Sequence, residues 1–375
     1  MTDSGVRERP VLVVGAGPAG LATAAELTRR GITHRLVERG DSLGHSWEML
    51  YDSLVLHTGR HMSTLPGRRY PRGTPLFPSR GDFLAYLRDY ARAFALRVET
   101  GTEVRRFERR GELWTASTAG GETIDARGVV IATGIIANPR LPELPGADAF
   151  RGRVMHSVEY RRPAEFVGKR VLVVGVGNSG GEIGSELAGA GADVTVLVRS
   201  GANVVPLSIA GIPMQYLAYV VKKLPPALQS VVLRQVQRMT VRKRGAPVLP
   251  PKAGSPLDSI PIIGFHLVDH IRDGSISLRL GGVAGLTARG VRFTDGSEGE
   301  YDVVMLATGF TAALGALGGS VSTDGRGFAL RRDRVTSAEH PGLWFVGHNY
   351  DSSGGLSNIR RDAPLAASAI AASAR

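Results

Sequence analysis

Two glycine-rich turns in this chain have the spacing that binds the pyrophosphate of a dinucleotide. Each follows the same apolar run, Val-Leu-Val-Val, at 11–14 and at 171–174. In such a turn the first glycine permits the bend, the second lets the backbone approach the pyrophosphate, and the third lets the helix pack closely on its strand. The free N–H groups at the start of that helix face the phosphates. The predicted phosphate-binding residues are Gly15, Gly17 and Gly20 in the first turn, and Gly175, Gly177, Asn178, Ser179 and Gly180 in the second.

The two turns differ in the charge that follows the next predicted strand. After the first turn that strand ends in Glu38, whose carboxylate can accept hydrogen bonds from unmodified ribose hydroxyls, as the adenosine half of FAD requires. After the second turn it ends in Arg199 and Ser200, and the cation suits a ribose 2′-phosphate. The sequence therefore predicts FAD at the first turn and NADPH at the second. Taken alone, Arg199 could still be a solvated surface charge, which is the less favoured alternative.

The elements around the two turns are also repeated. Each turn is followed much later by a buried strand that ends in Ala-Thr-Gly, at 132–134 and at 307–309. This predicts an α/β fold with two Rossmann-like dinucleotide-binding domains, the second inserted in the first. The predicted limits are 1–163 with 302–375 for the FAD-binding domain and 164–301 for the NADPH-binding domain, with a helical insert at about 205–257. A segment near 342–347 is expected to return to the FAD-binding domain. We assign Thr133 and Gly134 of the first Ala-Thr-Gly turn, and Gly347 of this segment, to FAD. We assign Thr308 and Gly309 of the second turn to NADPH.

Composition excludes several classes of protein. The 375 residues contain no cysteine, which excludes disulfides, thiolate metal sites and flavoproteins that pass electrons to a cysteine pair. We predict no metal site. Neither a transmembrane run of about 20 apolar residues nor a signal peptide is evident, so we expect a cytoplasmic protein. The net charge of +12 comes with no nucleic-acid motif, and we expect no nucleic-acid partner.

The positive charge is concentrated in the helical insert. No Asp or Glu lies between Asp193 and Asp258, while cations cluster from Lys222 to Arg244 among apolar residues. The pattern predicts basic amphipathic helices around Pro225. Such helices could be a solvated surface, a peripheral membrane contact, an oligomer contact or a guide for acidic substrates. The oligomeric state stays open.

The segment between the two turns carries a more specific pattern. Residues 150–161 resemble the F-x-G-x-x-x-H-x-x-x-(Y/F)-(K/R) fingerprint of class B flavin-dependent monooxygenases, in its flavin-containing monooxygenase form. Its fixed positions here are Phe150, Gly152, His156 and Tyr160. Within that class, the chain most resembles the YUCCA type, through 198–200, 204–206 and 355–357. His57 also favours the YUCCA type, because animal and fungal amine-oxidising members of the class carry Asn at this place in the loop.

This resemblance implies an enzyme, an NADPH- and O2-dependent monooxygenase that acts through a C4a-(hydro)peroxyflavin. Its most specific form is oxidative decarboxylation of an aryl α-keto acid such as indole-3-pyruvate. The alternatives are N- or S-oxygenation of a small molecule in specialised metabolism, an NADPH oxidase or reductase, and a non-catalytic nucleotide-binding redox sensor. The partners implied are O2 and a small-molecule substrate.

The resemblance also extends the predicted site. It places further FAD contacts at Gly44, Trp47, Thr58 and Leu356. It puts His57 and Arg60 beside the flavin as candidate catalytic residues, with Arg360 and Arg361 as further cations for an acidic substrate. His156 is assigned a positional role in the linker between the domains.

Overall fold

Two parallel five-stranded sheets each have a glycine-turn strand at the centre. A computed structural model of the chain describes residues 8–252, 261–351 and 353–373. The chain divides into two units, Met1–Asn138 with Phe310–Arg375, and Pro139–Gly309. The first unit is interrupted by the second, as expected for one α/β domain inserted in another.

The first unit holds the first turn; its elements, like all others here, are numbered along the chain. Its parallel strands are β1 (Val11–Val14), β2 (His34–Val37), β3 (Val98–Glu99), β7 (Gly128–Ile131) and β20 (Leu343–Phe345). They lie in the order β20-β7-β1-β2-β3. An antiparallel β-meander consists of β4 (Val104–Arg110), β5 (Leu113–Thr118) and β6 (Thr123–Ala126). The helices are α1 (Pro18–Arg29), α2 (His45–Glu48), α3 (Arg80–Ala93) and α8 (Gly355–Ser373).

Apolar strands and small helix residues build the core of this unit. All four residues of β1 are buried, as expected for a parallel strand covered on both faces. The alanine-rich faces of α1 and α8 belong to the same buried cluster, since small side chains let two helices approach closely. Helix α3 begins with a capping box, in which Ser79 Oγ accepts from the Asp82 N–H and Asp82 Oδ2 accepts from the Ser79 N–H.

The second unit repeats the sheet of the first. Its parallel strands are β8 (Arg153–His156), β9 (Arg170–Val174), β10 (Asp193–Val198), β15 (Ile276–Leu280) and β19 (Val303–Leu306). They lie in the order β15-β10-β9-β19-β8, so β9 takes the place of β1 and β10 that of β2. An antiparallel sheet of β16 (Val283–Thr287), β17 (Gly290–Phe293) and β18 (Glu298–Glu300) matches the meander of the first unit. The helices are α4 (Asn178–Gly189), α5 (Met214–Val221), α6 (Pro226–Arg244) and α7 (His266–Arg272).

The remaining elements are short. Two-residue strands form the pairs β11 (Val204–Val205) with β14 (Ile262–Ile263), and β12 (Ser208–Ile209) with β13 (Ile212–Pro213). Single 3-10 turns lie at Ala147–Ala149, Ser157–Glu159, Pro163–Phe166 and Gly315–Leu317.

The crossovers between the units lie away from the limits expected from the sequence. Those limits, 163/164 and 301/302, assign β8 and β19 to the first domain, whereas both strands lie in the second sheet. The reason is the pairing of β19, which is parallel to β9 on one edge and to β8 on the other. The contacts therefore put the crossovers at 138/139 and 309/310.

The helical insert contains the two predicted helices, α5 and α6, on either side of Pro225. No side chain of α6 is fully buried, and its end is tied to α7 by the Arg244–Asp269 ion pair. Residues 253–260 of the insert lie outside the described residues. The peripheral contact stays a prediction; no helix in the described ranges has the length and apolarity to cross a membrane.

A buried histidine in the first unit makes its stability depend on pH. The His348 ring packs beside Phe345 and Phe328, and neither ring nitrogen has a hydrogen-bond partner among the described residues. Burial lowers the pKa of His348 to about 3, so the ring is neutral in the folded protein at neutral pH.

We predict that the free energy of unfolding falls as the pH drops below about 6.5, the usual pKa of histidine in an unfolded chain. Below that pH the unfolded chain binds a proton at His348 that the folded chain does not, at a cost of up to about 1.4 kcal/mol per pH unit. His348→Phe should make the free energy of unfolding less dependent on pH between about 6.5 and 4. Urea melts at several pH values measure this, and equal slopes in both proteins would contradict it.

Candidate active site

The first glycine turn is shaped by two close backbone approaches. Gly15 has φ +101° and a Cβ there would lie 2.7 Å from the Ala132 carbonyl oxygen. A Cβ at Gly20 would lie 1.7 Å from the carbonyl oxygen of Gly15, so α1 can start against β1 only if this residue is glycine. At Gly17 a Cβ would have nothing within 4 Å. The turn thus has free space at its second glycine, where a pyrophosphate has to approach the backbone.

Glu38 is fixed beside this turn. It follows β2, is 7% exposed, and accepts hydrogen bonds from the Ala16 N–H at 2.7 Å and the Gly40 N–H at 3.0 Å. Each carboxylate oxygen has a further lone pair for a ribose hydroxyl. The acid is therefore held in position by the backbone of the turn.

The second turn is a geometric copy of the first. Gly175 has φ +100°, and a Cβ there would lie 2.7 Å from the Ala307 carbonyl oxygen. At Gly180 it would lie 2.3 Å from the Gly175 carbonyl oxygen, and at Gly177 it would again have nothing within 4 Å. The same space for a pyrophosphate is present, at the start of α4.

The charged residue beside the second turn is held differently from Glu38. Arg199 follows β10, is exposed, and has no ion pair or hydrogen bond with any residue that the structure describes. Ser200 is exposed next to it, and Ser179 is half-buried. An anion that reaches this loop meets a guanidinium with its donors available, which is the chemistry a 2′-phosphate needs.

Asn178 is already engaged within the protein. Its Nδ2 donates to the Pro261 carbonyl oxygen at 3.2 Å, and its Oδ1 accepts from the Ile263 N–H at 2.9 Å. The sequence predicted a contact to NADPH and gave no sign of this second role.

The two Ala-Thr-Gly turns hold their own crossover segments. The Thr133 hydroxyl donates to the Ala313 carbonyl oxygen at 2.8 Å, and the Thr308 hydroxyl donates to that of Arg140 at 2.5 Å. Gly134 and Gly309 have φ of +68° and +83°. Each hydroxyl thus donates its proton to a carbonyl oxygen of the chain itself. The backbone of each turn stays available to a nucleotide bound at the neighbouring glycine turn.

The fingerprint segment packs around β8. A Cβ at Gly152 would lie 2.4 Å from the Phe150 ring and 2.5 Å from the Asp302 carbonyl oxygen, so glycine is needed there. Tyr160 is fully buried, with its ring 5.7 Å from that of Phe166.

His156 is held at both ring nitrogens. Nδ1 accepts from the Val158 N–H at 3.2 Å, so Nε2 carries the proton and donates to the Gly309 carbonyl oxygen at 3.2 Å. Burial lowers the pKa of His156, which keeps the ring neutral. These contacts support the positional role, since the ring holds the Gly309 turn and has no nitrogen left for proton transfer.

Other predicted FAD contacts gather near the first turn. The Gly44 N–H donates to the Ala16 carbonyl oxygen at 3.0 Å, and a Cβ at Gly347 would lie 3.3 Å from Ala19 Cβ. Trp47 lies three residues after Gly44, in α2. Its ring is edge-on to that of Phe83, with the ring centroids 4.6 Å apart. Leu356 is buried in the core cluster of this unit.

The candidate substrate cations have neutral partners. The Arg60 guanidinium donates to the Thr74 carbonyl oxygen, and that of Arg360 donates to the His61 carbonyl oxygen at 3.0 Å and to Thr64 Oγ1 at 3.1 Å. Arg361 is exposed, with no partner in the described parts of the chain. His57 is half-buried, and Thr58 Oγ1 lies 2.5 Å from Ser63 Oγ. Arg360 thus joins the start of α8 to the loop that carries Arg60, with both positive charges uncompensated.

A buried polar network next to this loop escaped the sequence analysis. Asp362 is fully buried in α8 and accepts from Arg334 Nε at 2.8 Å and Asn349 Nδ2 at 2.6 Å. Burial raises the pKa of Asp362 while these two partners lower it. An acid on the apolar side of a helix, between Ile359 and Ala363, was the available signal. The network fixes the first turns of α8.

One surface cluster has the donor types of a metal site. Atoms of Asp41, His45 and Glu48 lie within 4.8 Å of one another. Glu48 is already paired with Arg88 at 2.5 Å, and Asp41 is exposed. Exposed groups of this kind do not by themselves indicate a metal ion.

Comparisons with known proteins decide the family. The family described as pyridine nucleotide-disulphide oxidoreductase matches residues 12–266. Indole-3-pyruvate monooxygenase YUCCA1 of Oryza sativa subsp. japonica is 38% identical over 314 residues, which cover 80% of this chain and 76% of that protein. Probable indole-3-pyruvate monooxygenase YUCCA1 of Arabidopsis thaliana is 32% identical, over 80% and 75%. The chain belongs to the YUCCA-type flavin monooxygenases.

Solved structures agree with this assignment. A mutant of flavin monooxygenase from Stenotrophomonas maltophilia has a TM-score of 0.78 at 25% identity, covering 98% of this chain and 99% of that one. Cyclohexanone monooxygenase from Rhodococcus sp. Phi1, bound to NADP+, has the same fold with a TM-score of 0.73 at 20% identity, covering 97% and 84%. This YUCCA-type protein is an oxidoreductase that uses FAD, NADPH and O2. Having no cysteine, it lacks the thiols for disulfide chemistry.

The glycine turns fit these nucleotides, and the fit of the first turn can be tested. Gly20→Ala should lose most of the bound FAD and about 1–3 kcal/mol of stability, because the added methyl group overlaps the Gly15 carbonyl oxygen. Flavin absorbance per mole of purified protein measures this. The control is Gly81→Ala, in α3, whose Cβ would meet only Ser79 Oγ at 3.7 Å. Full flavin content in Gly20→Ala would remove the first turn as the FAD site.

Proposed function

We propose that this protein oxidatively decarboxylates an aryl α-keto acid, with indole-3-pyruvate as the first candidate. Two relatives whose alignments cover 80% of the chain are named as an indole-3-pyruvate monooxygenase and a probable one. In the overall reaction the keto acid loses CO2 and gains one oxygen atom from O2, while the other becomes water and NADPH is oxidised to NADP+. Bound FAD supplies the redox chemistry by taking the hydride and activating O2.

The observation that carries the proposal is the unpaired charge of Arg360. Its guanidinium is held by a carbonyl and a hydroxyl, so the positive charge is fixed in place and no carboxylate of the described chain neutralises it. A substrate carboxylate is the natural partner for such a group. Arg60, on the same loop as the Arg360 contacts, adds a second cation with a neutral partner. An amine or thioether substrate has no use for this charge.

We assign the nucleotides to the turns by the same reasoning. Glu38 suits the unmodified ribose of FAD, and Arg199 suits the 2′-phosphate of NADPH. His156 orients the Gly309 turn next to the second nucleotide site, and His57 lies on the loop that we place beside the flavin.

The reaction itself is tested by turnover under ¹⁸O2 with NADPH and indole-3-pyruvate. We expect indole-3-acetate with one ¹⁸O atom in its carboxylate, detected by mass spectrometry. NADPH consumption that yields hydrogen peroxide and no ¹⁸O-labelled acid would contradict the proposal and point to an oxidase. Oxygenation of an amine or thioether in place of the keto acid would contradict the substrate class.

Substrate charge is tested at Arg360. Arg360→Ala should raise the KM for the keto acid by about 10–100-fold, the usual effect of losing a hydrogen-bonded ion pair. Arg361→Ala is the matched control, since the neighbouring arginine on α8 has no contact to lose, and Arg360→Lys should restore part of the affinity. A wild-type KM in Arg360→Ala would remove Arg360 from the substrate site, and a raised KM in Arg361→Ala would assign Arg361 to that site as well.

Coenzyme choice is tested at Arg199. Arg199→Ala should raise the KM for NADPH by about 10–100-fold and leave that for NADH nearly unchanged, because only NADPH carries the 2′-phosphate. Steady-state kinetics with both coenzymes measure this. Arg238→Ala, an exposed arginine of α6, controls for the loss of one surface charge. An equal change for both coenzymes would assign Arg199 to the surface.

A further inference from the structure

We define the base of the helical insert as strands β11 and β14. Among the described residues, one side chain of the second glycine turn, that of Asn178, forms hydrogen bonds with this base and the residue before β14. Strand β14 bonds to β11 along one edge, with the Ile262 N–H on the Asn203 carbonyl oxygen at 2.8 Å and the Gly264 N–H on that of Val205 at 2.9 Å. Its other edge faces Asn178, the first residue of α4.

The Asn178 carboxamide takes the place of a neighbouring strand. It donates to Pro261 O at 3.2 Å and accepts from Ile263 N at 2.9 Å, the carbonyl and N–H that β14 directs away from β11. Among the described residues, these two are the hydrogen bonds by which the Asn178 side chain links the glycine turn to the insert.

The other strand of the base starts from the Arg199 loop. Only four residues separate Arg199 from Val204 of β11. Within them, the Ala202 N–H donates to the Pro250 carbonyl oxygen at 2.9 Å, and Gly201 passes so near that a Cβ would lie 2.3 Å from the same oxygen. Both segments that we assign to NADPH, the glycine turn and the Arg199 loop, therefore hold the base of the insert.

The longer of the two helices that the base carries, α6, has little packing of its own. No side chain of α6 is fully buried, and its far end is held by Arg244 with Asp269 and by Arg272 with the Ala246 carbonyl oxygen. A helix with so little buried surface opens at low free-energy cost. Its order then depends on how firmly the base is held.

We propose that Asn178 is a positioning residue that couples NADP(H) binding at the second turn to the order of the helical insert. A nucleotide that fixes the start of α4 and the Arg199 loop fixes Asn178 and β11, and so holds β14 from both sides. By linkage, an ordered base favours nucleotide binding by the same factor. The coupling rests on the proposed assignment of NADPH to this turn.

The experiment is hydrogen–deuterium exchange of the FAD-loaded enzyme, with and without NADP+, read by mass spectrometry over α5 and α6. In Asn178→Ala without nucleotide, we expect exchange over these helices to be about tenfold faster than in the wild type, from the loss of two hydrogen bonds. Exchange over β9 and β19 should stay unchanged. NADP+ should slow exchange in the wild type by about fivefold or more and protect the variant less, with a matching rise in its Kd.

The matched control is Asn203→Ala. Asn203 also lies at the base, but its buried Nδ2 has no hydrogen-bond partner in the part of the chain that the structure describes, and its contact with β14 is made by its backbone oxygen. This variant should keep wild-type exchange and NADP+ protection. Flavin content and the global melting temperature of both variants show that the domains remain folded.

The outcomes separate the coupling from the proposed function. Unchanged nucleotide-free exchange in Asn178→Ala would overturn the proposal, and so would weakened NADP+ binding alone, because Asn178 would then act on the nucleotide only. NADP+ that binds the wild type without slowing exchange would overturn it as well. Absence of NADP+ binding to the wild type would instead refute the assignment of the second turn, and the coupling with it.

Discussion

The structure depends on the near contact between a helix and the strand before it. In each unit the third glycine of the turn lies against the carbonyl oxygen of the first, at 1.7 Å and 2.3 Å from where a Cβ would be. Only glycine permits that approach, and it sets the helix N-terminus directly over the end of the central strand. The order of the strands is the same in both units. Each unit also has a charged residue, Glu38 or Arg199, after the second strand and an Ala-Thr-Gly turn beside the glycine turn. One backbone constraint, used twice, thus builds two nucleotide sites in a single chain.

The two sites differ where the chemistry of their ligands differs. Glu38 is buried and bonded to two backbone N–H groups, whereas Arg199 is exposed with its donors available. A fixed acid suits ribose hydroxyls, and an exposed cation with available donors suits a phosphate. With no cysteine to receive electrons, the chain fits the monooxygenases and lacks the thiols used in disulfide reduction, although the family model that it matches is described as pyridine nucleotide-disulphide oxidoreductase.

The parts of the fold governed by local patterns were predictable. Glycine spacing and apolar runs are short-range signals, and from them we predicted the two dinucleotide-binding domains and the insertion of one in the other. What depends on long-range pairing was missed. Strand β8 joins the second sheet through β19, about 150 residues later, and the sequence of 153–156 carries no sign of that partner. Asn178 bonds to residues more than 80 positions away. Asp362 bonds to Arg334 and Asn349, which lie outside α8, so the contacts depend on how this helix packs.

The central claim is that the first turn holds FAD and the second holds NADPH. A crystal structure of the protein with FAD and NADP+ bound tests it most directly. The account predicts the FAD pyrophosphate at Gly15–Gly20 with Glu38 on its ribose, and the NADP+ pyrophosphate at Gly175–Gly180 with Arg199 on the 2′-phosphate. NADP+ bound away from the second turn, or an Arg199 that points into solvent beside an occupied site, would contradict it.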